Sequence, residues 1–382
     1  MKANTENPFV SFYTKHNISP VHQDISDFPQ HMKRREKLYR SLGLPPFAFV
    51  NENMLEIGPG GGYNALAFFQ WGAKVDFVEP NKTAQEELPV LLKKSGVKPE
   101  AWHLFPGLIE DYYPEKSYNI VIAEGFIPGL LDRRQVIARL KDIVNPGGVV
   151  VVTCVDDISF FFDHLKGLVA ARLISTIGDF QEQVKVLIEA FASHLQTLKH
   201  ASRPVDDWVI DTFLNPAIYG EWFSIADCLE EFGRDFELLG SSPRMFTDYT
   251  WYKNTEHDTF TALLEQFHTK RQALFFQHME EKIRTADVNR QLFEACYHVR
   301  DLGRKLKDNY QQDTMRKIVE AIKVVRTLTV DFDPRATAAI DEAISLLSDD
   351  DLTPAKVANA TKLAAACGRS MQYVSLVKKV TD

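Results

Sequence analysis

The sequence predicts an α/β protein: a doubly wound, seven-stranded sheet, mostly parallel with a terminal antiparallel pair, plus a helical insertion and a C-terminal all-helical domain. Three observations predict it. Short apolar runs alternate with amphipathic helical patterns from Gln30 to Cys154, the signature of a parallel sheet covered on both faces. The alternation stops between Asp156 and Tyr219, where the chain reads as helical and aromatic, and then resumes. From Thr255 onward no segment reads as a strand. The 382 residues exceed what one ordinary core organises. The expected segments are an N-terminal arm (1–29) that can fold over a ligand, a sheet domain (30–254) with its insertion (156–219), and a helical domain (255–382).

Taken in order, Gln30–Leu42 reads as a helix closed by Gly43. Met54–Ile57 is a strand, Tyr63–Trp71 a helix, Lys74–Glu79 a strand and Thr83–Ser95 a helix. Strands follow at Trp102–Phe105 and Asn119–Ala123, then a helix at Arg133–Val144, and a turn at Asn145–Gly148 leads into strand Val149–Cys154. In the insertion, Val184, Leu187, Ile188, Phe191, Leu195 and Leu198 form one apolar stripe. Ser224 and Asp227 are spaced as a capping box, and Phe236–Leu239 with Tyr249–Lys253 supply the antiparallel pair. In the tail, Leu292, Ala295, Val299, Leu302 and Leu306 form a helical seam, while Asp333-Pro334 and Thr353-Pro354 are N-cap signals.

Composition narrows the function classes. With 45% hydrophobic and 25% charged residues the chain is globular, and its net charge of −8 disfavours nucleic-acid partners. The basic run Lys33, Arg34, Arg35 and Lys37 reads as the solvated face of a helix. Four dispersed cysteines form no metal-ligand spacing and no disulfide framework, so no metal is expected and a reducing, cytoplasmic setting fits. No apolar run approaches the roughly 20 residues of a membrane span.

The chemistry concentrates in MLEIGPGGGYNALAF, Met54–Phe68. A glycine turn between a strand and a helix brings main-chain amides and the helix's positive end toward a ligand. The spacing is G-x-G-x-G at Gly58, Gly60 and Gly62; Tyr63 stands where a dinucleotide fingerprint needs its third glycine, and no Gly-Lys-Ser/Thr follows. Glu56 lies just ahead of the turn, and Glu79 ends the next strand roughly 20 residues on from Gly58, where a carboxylate can accept from both ribose hydroxyls. A ligand with a ribose, a positive group and no phosphate fits this set.

These motifs resemble the class I S-adenosylmethionine-dependent methyltransferases, whose sheet is Rossmann-like. Glu56–Gly62 matches their first motif, Glu79 their second, Tyr118–Glu124 their fourth strand, and NPGGVVVVT the turn into their fifth. The resemblance covers Gln30 to Asn254 apart from the insertion. It implies S-adenosyl-L-methionine as cofactor, with Glu56 and the Gly58, Gly60 and Gly62 backbone at the methionine end. Glu79 would meet the ribose, Ile109 and Glu110 the adenine, and Glu124 and Gly125 would close the pocket. Two departures stand out. Gly107-Leu108 replaces the usual Gly-Asp pair, leaving adenine to Glu110, Asp111 or main chain, and Tyr118-Asn119 replaces an aromatic-aspartate pair.

The resemblance implies methyl transfer to a small molecule or glycan intermediate, with a base required for an alcohol or ammonium acceptor. Candidate bases are His16 and His22 in the arm, beside Tyr13 and Gln23, together with Glu124 and Tyr219. The insertion adds Phe160–Phe162, His164, Trp208 and Asn215 as a substrate wall, or as glue for its own helices. The helical domain is expected to serve structure or to pair two copies. Two rival classes are a nicotinamide-dependent oxidoreductase and a non-catalytic cofactor-binding or scaffold protein on the same fold.

Overall fold

The computed structural model describes residues 8–16, 18, 23–199, 201, 203–254, 256–277, 283–308 and 310–380. They fall into two compact units, one of 1–154, 220–264 and 372–382, the other of 155–219 and 265–371.

The first unit is built on seven strands: β1 (Asn53–Ile57), β2 (Lys74–Val78), β3 (Trp102–Phe105), β4 (Tyr118–Ala123), β5 (Val144–Cys154), β6 (Phe236–Ser242) and β7 (Gln372–Lys378). Their order is β3-β2-β1-β4-β5-β7-β6. β1 pairs in parallel with both β2 and β4, so Glu56 stands between Phe77 and Ile122. The strand order reverses between β1 and β4, and the segments following β1, β2 and β4 emerge at one edge, where such folds bind ligands. Phe49, Phe68, Phe77, Leu88, Ile122 and Val151 pack one face of this unit as a buried cluster.

The antiparallel partner of β6 differs from expectation. Tyr249–Lys253 lies outside the sheet, with Tyr249, Trp251 and Tyr252 exposed at 93%, 66% and 81%. β7, from the far end of the chain, runs antiparallel between β5 and β6, pairing Cys154 with Gln372 and Val151 with Ser375. An aromatic run has strand propensity, but pairing is decided by a face that can be buried. Val374 and Leu376 supply that face.

The helical segments also regroup. The insertion and the tail share one core, with Phe161, Leu165, Leu187 and Phe191 joined by Val299, Ile318, Ile340 and Leu347. The stripe on helix Phe180–Thr197 and the seam on helix Ala286–Asp308 each leave one apolar face to cover. The expected boundaries 156–219 and 255–382 therefore cut through one body, and residues 372–378 belong to the sheet.

Local signals mostly hold. Gly43 has φ of 77° just past helix Phe28–Ser41. Ser224 and Asp227 form the capping box of helix Ile225–Phe232. Asp333 and Thr353 cap their helices through side-chain acceptors. The helix expected over Tyr63–Trp71 contracts to Leu66–Gln70, because the glycine turn continues through Ala65.

Candidate active site

Gly58, Gly60 and Gly62 all adopt positive φ (67°, 56° and 83°), which accounts for their alternate spacing. Gly62 is the most constrained. A Cβ there would fall 2.2 Å from Leu88 Cδ1, so the turn also lets the helix Lys82–Lys94 approach it. A Cβ at Gly58 would meet the Phe126 ring at 3.4 Å.

Glu79, just past β2, ties this turn to the next helix. Its Oε2 accepts from the Gly60 amide (2.9 Å) and its Oε1 from the Asn81 amide (2.8 Å), while Asn81 caps the helix by accepting from Ala84 N–H at 2.8 Å. Each carboxylate oxygen keeps capacity for a second donor. Burial raises Glu79 to about 7 against the opposing pull of those two amides.

Glu56 is only 3% exposed, and its Oε2 has no hydrogen-bond partner among the described residues. Burial pushes its carboxyl up to about 8; Glu124 adds to the rise, Arg35 opposes it and Glu79 contributes. Glu124 follows β4 and has an elaborate setting. Arg35 grips it with two bonds of 2.9 Å, and the Tyr39 hydroxyl donates to the same carboxylate. Burial opposes charge on Arg35, yet Glu124 and Tyr39 hold it protonated above its ordinary value. Gly125, with φ of 87°, anchors its amide on Thr153 Oγ1 at 2.9 Å and has open space where a Cβ would stand.

Sequence reasoning missed the helix Phe28–Ser41 as a site element. His31, Arg35 and Tyr39 lie four residues apart, hence on one face, and all three are buried. Arg35 is therefore no member of a solvated basic face. His31 Nε2 meets the Tyr63 carbonyl at 3.2 Å, so that nitrogen carries the proton. Burial, with Arg35 next, lowers the His31 pKa and keeps its ring neutral. The i, i+4, i+8 spacing was the available signal.

The other expected residues separate. Ile109 is buried and Glu110 half-buried in the single turn Ile109–Asp111 after β3. Asn119 bonds locally, donating to Glu52 Oε1 (3.0 Å) and accepting from Asn145 (2.9 Å). Glu124 is engaged by Arg35 and Tyr39. His16 ends the helix Pro8–His16, where burial and then Lys15 lower its pKa. His22 lies outside the described residues. Tyr219 belongs to the helical unit, and burial raises its phenol to about 12, which keeps the hydroxyl protonated at neutral pH. Phe161, Phe162 and Trp208 are core residues of the helical unit, and burial drives His164 there down to about 3. The four cysteines are free and buried. Among the described residues no helix is long and apolar enough to cross a membrane.

The strand order, the glycine turn and the carboxylates after β1's neighbours define the class I methyltransferase fold. A family model described as a methyltransferase domain matches residues 30–204. Residues 30–204 thus match a methyltransferase domain on a sheet with that strand order. Among solved structures, it is similar to the glycopeptide N-methyltransferase MtfA complexed with S-adenosyl-L-methionine (20% identity, 28% of this chain and 49% of that one, TM-score 0.25). A second is a putative S-adenosylmethionine-dependent methyltransferase from Listeria monocytogenes (17%, 34% and 57%, TM-score 0.28). A third is the N-methyltransferase NodS from Bradyrhizobium japonicum WM9 with S-adenosyl-L-homocysteine (17%, 40% and 75%, TM-score 0.31). The chain spans about half the length of the first two, and at such TM-scores these likenesses carry nothing about its substrate. No curated protein matches the sequence.

Proposed function

We propose that this domain methylates a small molecule or glycan intermediate by direct in-line transfer from S-adenosylmethionine. One observation carries the reading: three buried or part-buried carboxylates, Glu56, Glu79 and Glu124, surround the glycine turn with Arg35 as their buried cation. That surplus of acid favours a cationic nucleoside and opposes a pyrophosphate, which weighs against the nicotinamide alternative. The residues fit the cofactor. Glu56, with its unpartnered buried oxygen, would hold the amino-acid end, Glu79 the ribose, and the turn's main chain the space between. Ile109 and Glu110 would border the adenine, with Gly125 and Phe126 along the opposite wall.

When bound, S-adenosylmethionine supplies a methyl group already activated by its positive sulfur. The protein's share is to hold the acceptor in line, and proximity of this kind accounts for about 7–11 kcal/mol of a barrier. His31 is neutral, its Nε2–H donates to the main chain beside the turn, and its Nδ1 is the atom we assign to take a proton from an alcohol or ammonium acceptor. The acidic balance of the chain supports a small or sugar acceptor over nucleic acid.

Calorimetric titration with S-adenosylhomocysteine and with a nicotinamide dinucleotide tests the cofactor: saturable heat is expected with the first only. A metabolite library incubated with a methyl-labelled donor then reads the acceptor as a mass shift. Tight cofactor binding with no labelled product from any acceptor would favour the non-catalytic alternative.

A further inference from the structure

Glu56 is the one carboxylate of the site left without a cation or donor of its own. Glu79 has two amides, and Glu124 has Arg35 and Tyr39. The Glu56 Oε2 atom has none among the described residues, and the side chain is shut away from water. The charged and titratable groups that face it come from three directions. Glu79 stands at the end of β2, Glu124 at the end of β4, and Arg35 and Tyr39 on the helix Phe28–Ser41. Arg35, the cation in this group, is already committed to Glu124 by two hydrogen bonds.

We infer, resting on the cofactor site proposed above, that Glu56 holds a proton while the site is empty and gives it to solvent when the cofactor's ammonium is bound beside it. The O–H bond of the Glu56 carboxyl breaks, the proton passes to buffer, and the resulting carboxylate pairs with the ligand's cation. Repulsion from Glu124 and Glu79 favours the neutral acid until that cation arrives. Its ordinary pull in water is too weak to matter, but in a water-poor site it replaces the missing partner. Cofactor capture is then a proton exchange, and affinity rises with pH across the neutral range.

The linkage has a definite sign. A group that must lose its proton to bind makes Kd fall about tenfold per pH unit below its free pKa, and levels off above it. With Glu56 at about 8 in the empty site, the steep region covers pH 6 to 7.5. The ligand's ammonium stays charged throughout that window, so the slope belongs to the protein.

The test is calorimetry of the full chain with S-adenosylhomocysteine at pH 7 in three buffers of different ionisation enthalpy, with Kd measured from pH 6 to 8. Wild type is expected to release close to one proton per ligand and to gain about tenfold in affinity per unit from pH 6 to 7. Glu56→Gln is expected to remove both dependences. Saturable binding with buffer-independent heat and a flat Kd overturns the inference and leaves the cofactor site standing. Equal proton release from Glu56→Gln overturns it as well and moves the proton to Glu79. Failure of wild type to bind at all instead overturns the cofactor reading itself. If Glu56→Gln does not fold, Glu79→Gln takes its place: proton release retained in a binding variant upholds the assignment to Glu56, and its loss overturns it.

Discussion

The two units differ in how their buried arginines are matched. In the helical unit two buried arginines are each matched to one carboxylate: Arg271 Nε lies 2.8 Å from Asp156, and Arg300 bonds Asp157 through two nitrogens, while buried Lys166 bonds the Ala364 and Ala366 carbonyls. In the sheet unit Arg35 serves a site that also holds Glu56, Glu79 and Glu124. Matched pairs are what folding alone tolerates, since a lone buried charge costs several kcal/mol. An unmatched set persists where something else supplies the missing charge. The surplus of acid lies in the sheet unit, around the site where we propose that a cationic ligand binds.

Substitutions at each place can break or sharpen that contrast. The largest effect is expected for Arg35→Leu, which strips the carboxylate cluster of its buried cation. Urea unfolding should show a loss of at least the roughly 3–5 kcal/mol typical of breaking a buried pair. Adding Glu124→Gln should restore part of it. Next comes Arg300→Leu in the helical unit, with a loss of about 3–5 kcal/mol because Asp157 is left alone. If Glu56→Gln proves as damaging to folding as Arg300→Leu, the two units do not differ as described.

Glu79→Ala should lower affinity for S-adenosylhomocysteine at least tenfold, since a charged acceptor is worth about 1.5–3 kcal/mol. Unchanged affinity in a folded variant would detach Glu79 from the ribose. Gly220→Ala should destabilise the sheet unit by about 1–3 kcal/mol, as overpacking does. Its Cβ would fall 2.2 Å from the Gly129 carbonyl oxygen, where the segment after β4 already donates Gly129 N–H to Glu221 at 2.8 Å. An unaltered melting temperature would mean this main-chain contact has slack.

The contrast also has a signature in pH dependence. Glu56 and Glu79 are raised in the folded state, to about 8 and about 7, so the folded chain binds more protons than the unfolded one between their ordinary values and these. Stability of the ligand-free protein should therefore fall as pH rises from about 4.5 to 8. Glu56→Gln should flatten the upper part of that slope.

Much of this was readable in the sequence, and the physical reason is locality. A G-x-G-x-G turn requires left-handed main chain at alternate positions, so Gly58, Gly60 and Gly62 announce their conformation without any tertiary contact. Strand periodicity fixes which residues end β1 and β2, and so fixes Glu56 and Glu79. Caps at Ser224, Asp333 and Thr353 act within one helical turn.

Only the tertiary structure decided the rest. QYVSLVK becomes β7 because the edge of β5, more than 200 residues away in sequence, offers it hydrogen bonds and a buried face. Arg35 is buried because Glu124 waits past β4, a partner that no pattern within its own helix contains. Periodicity tells which face of a segment is apolar, but only packing tells what that face, or a charge beside it, will meet.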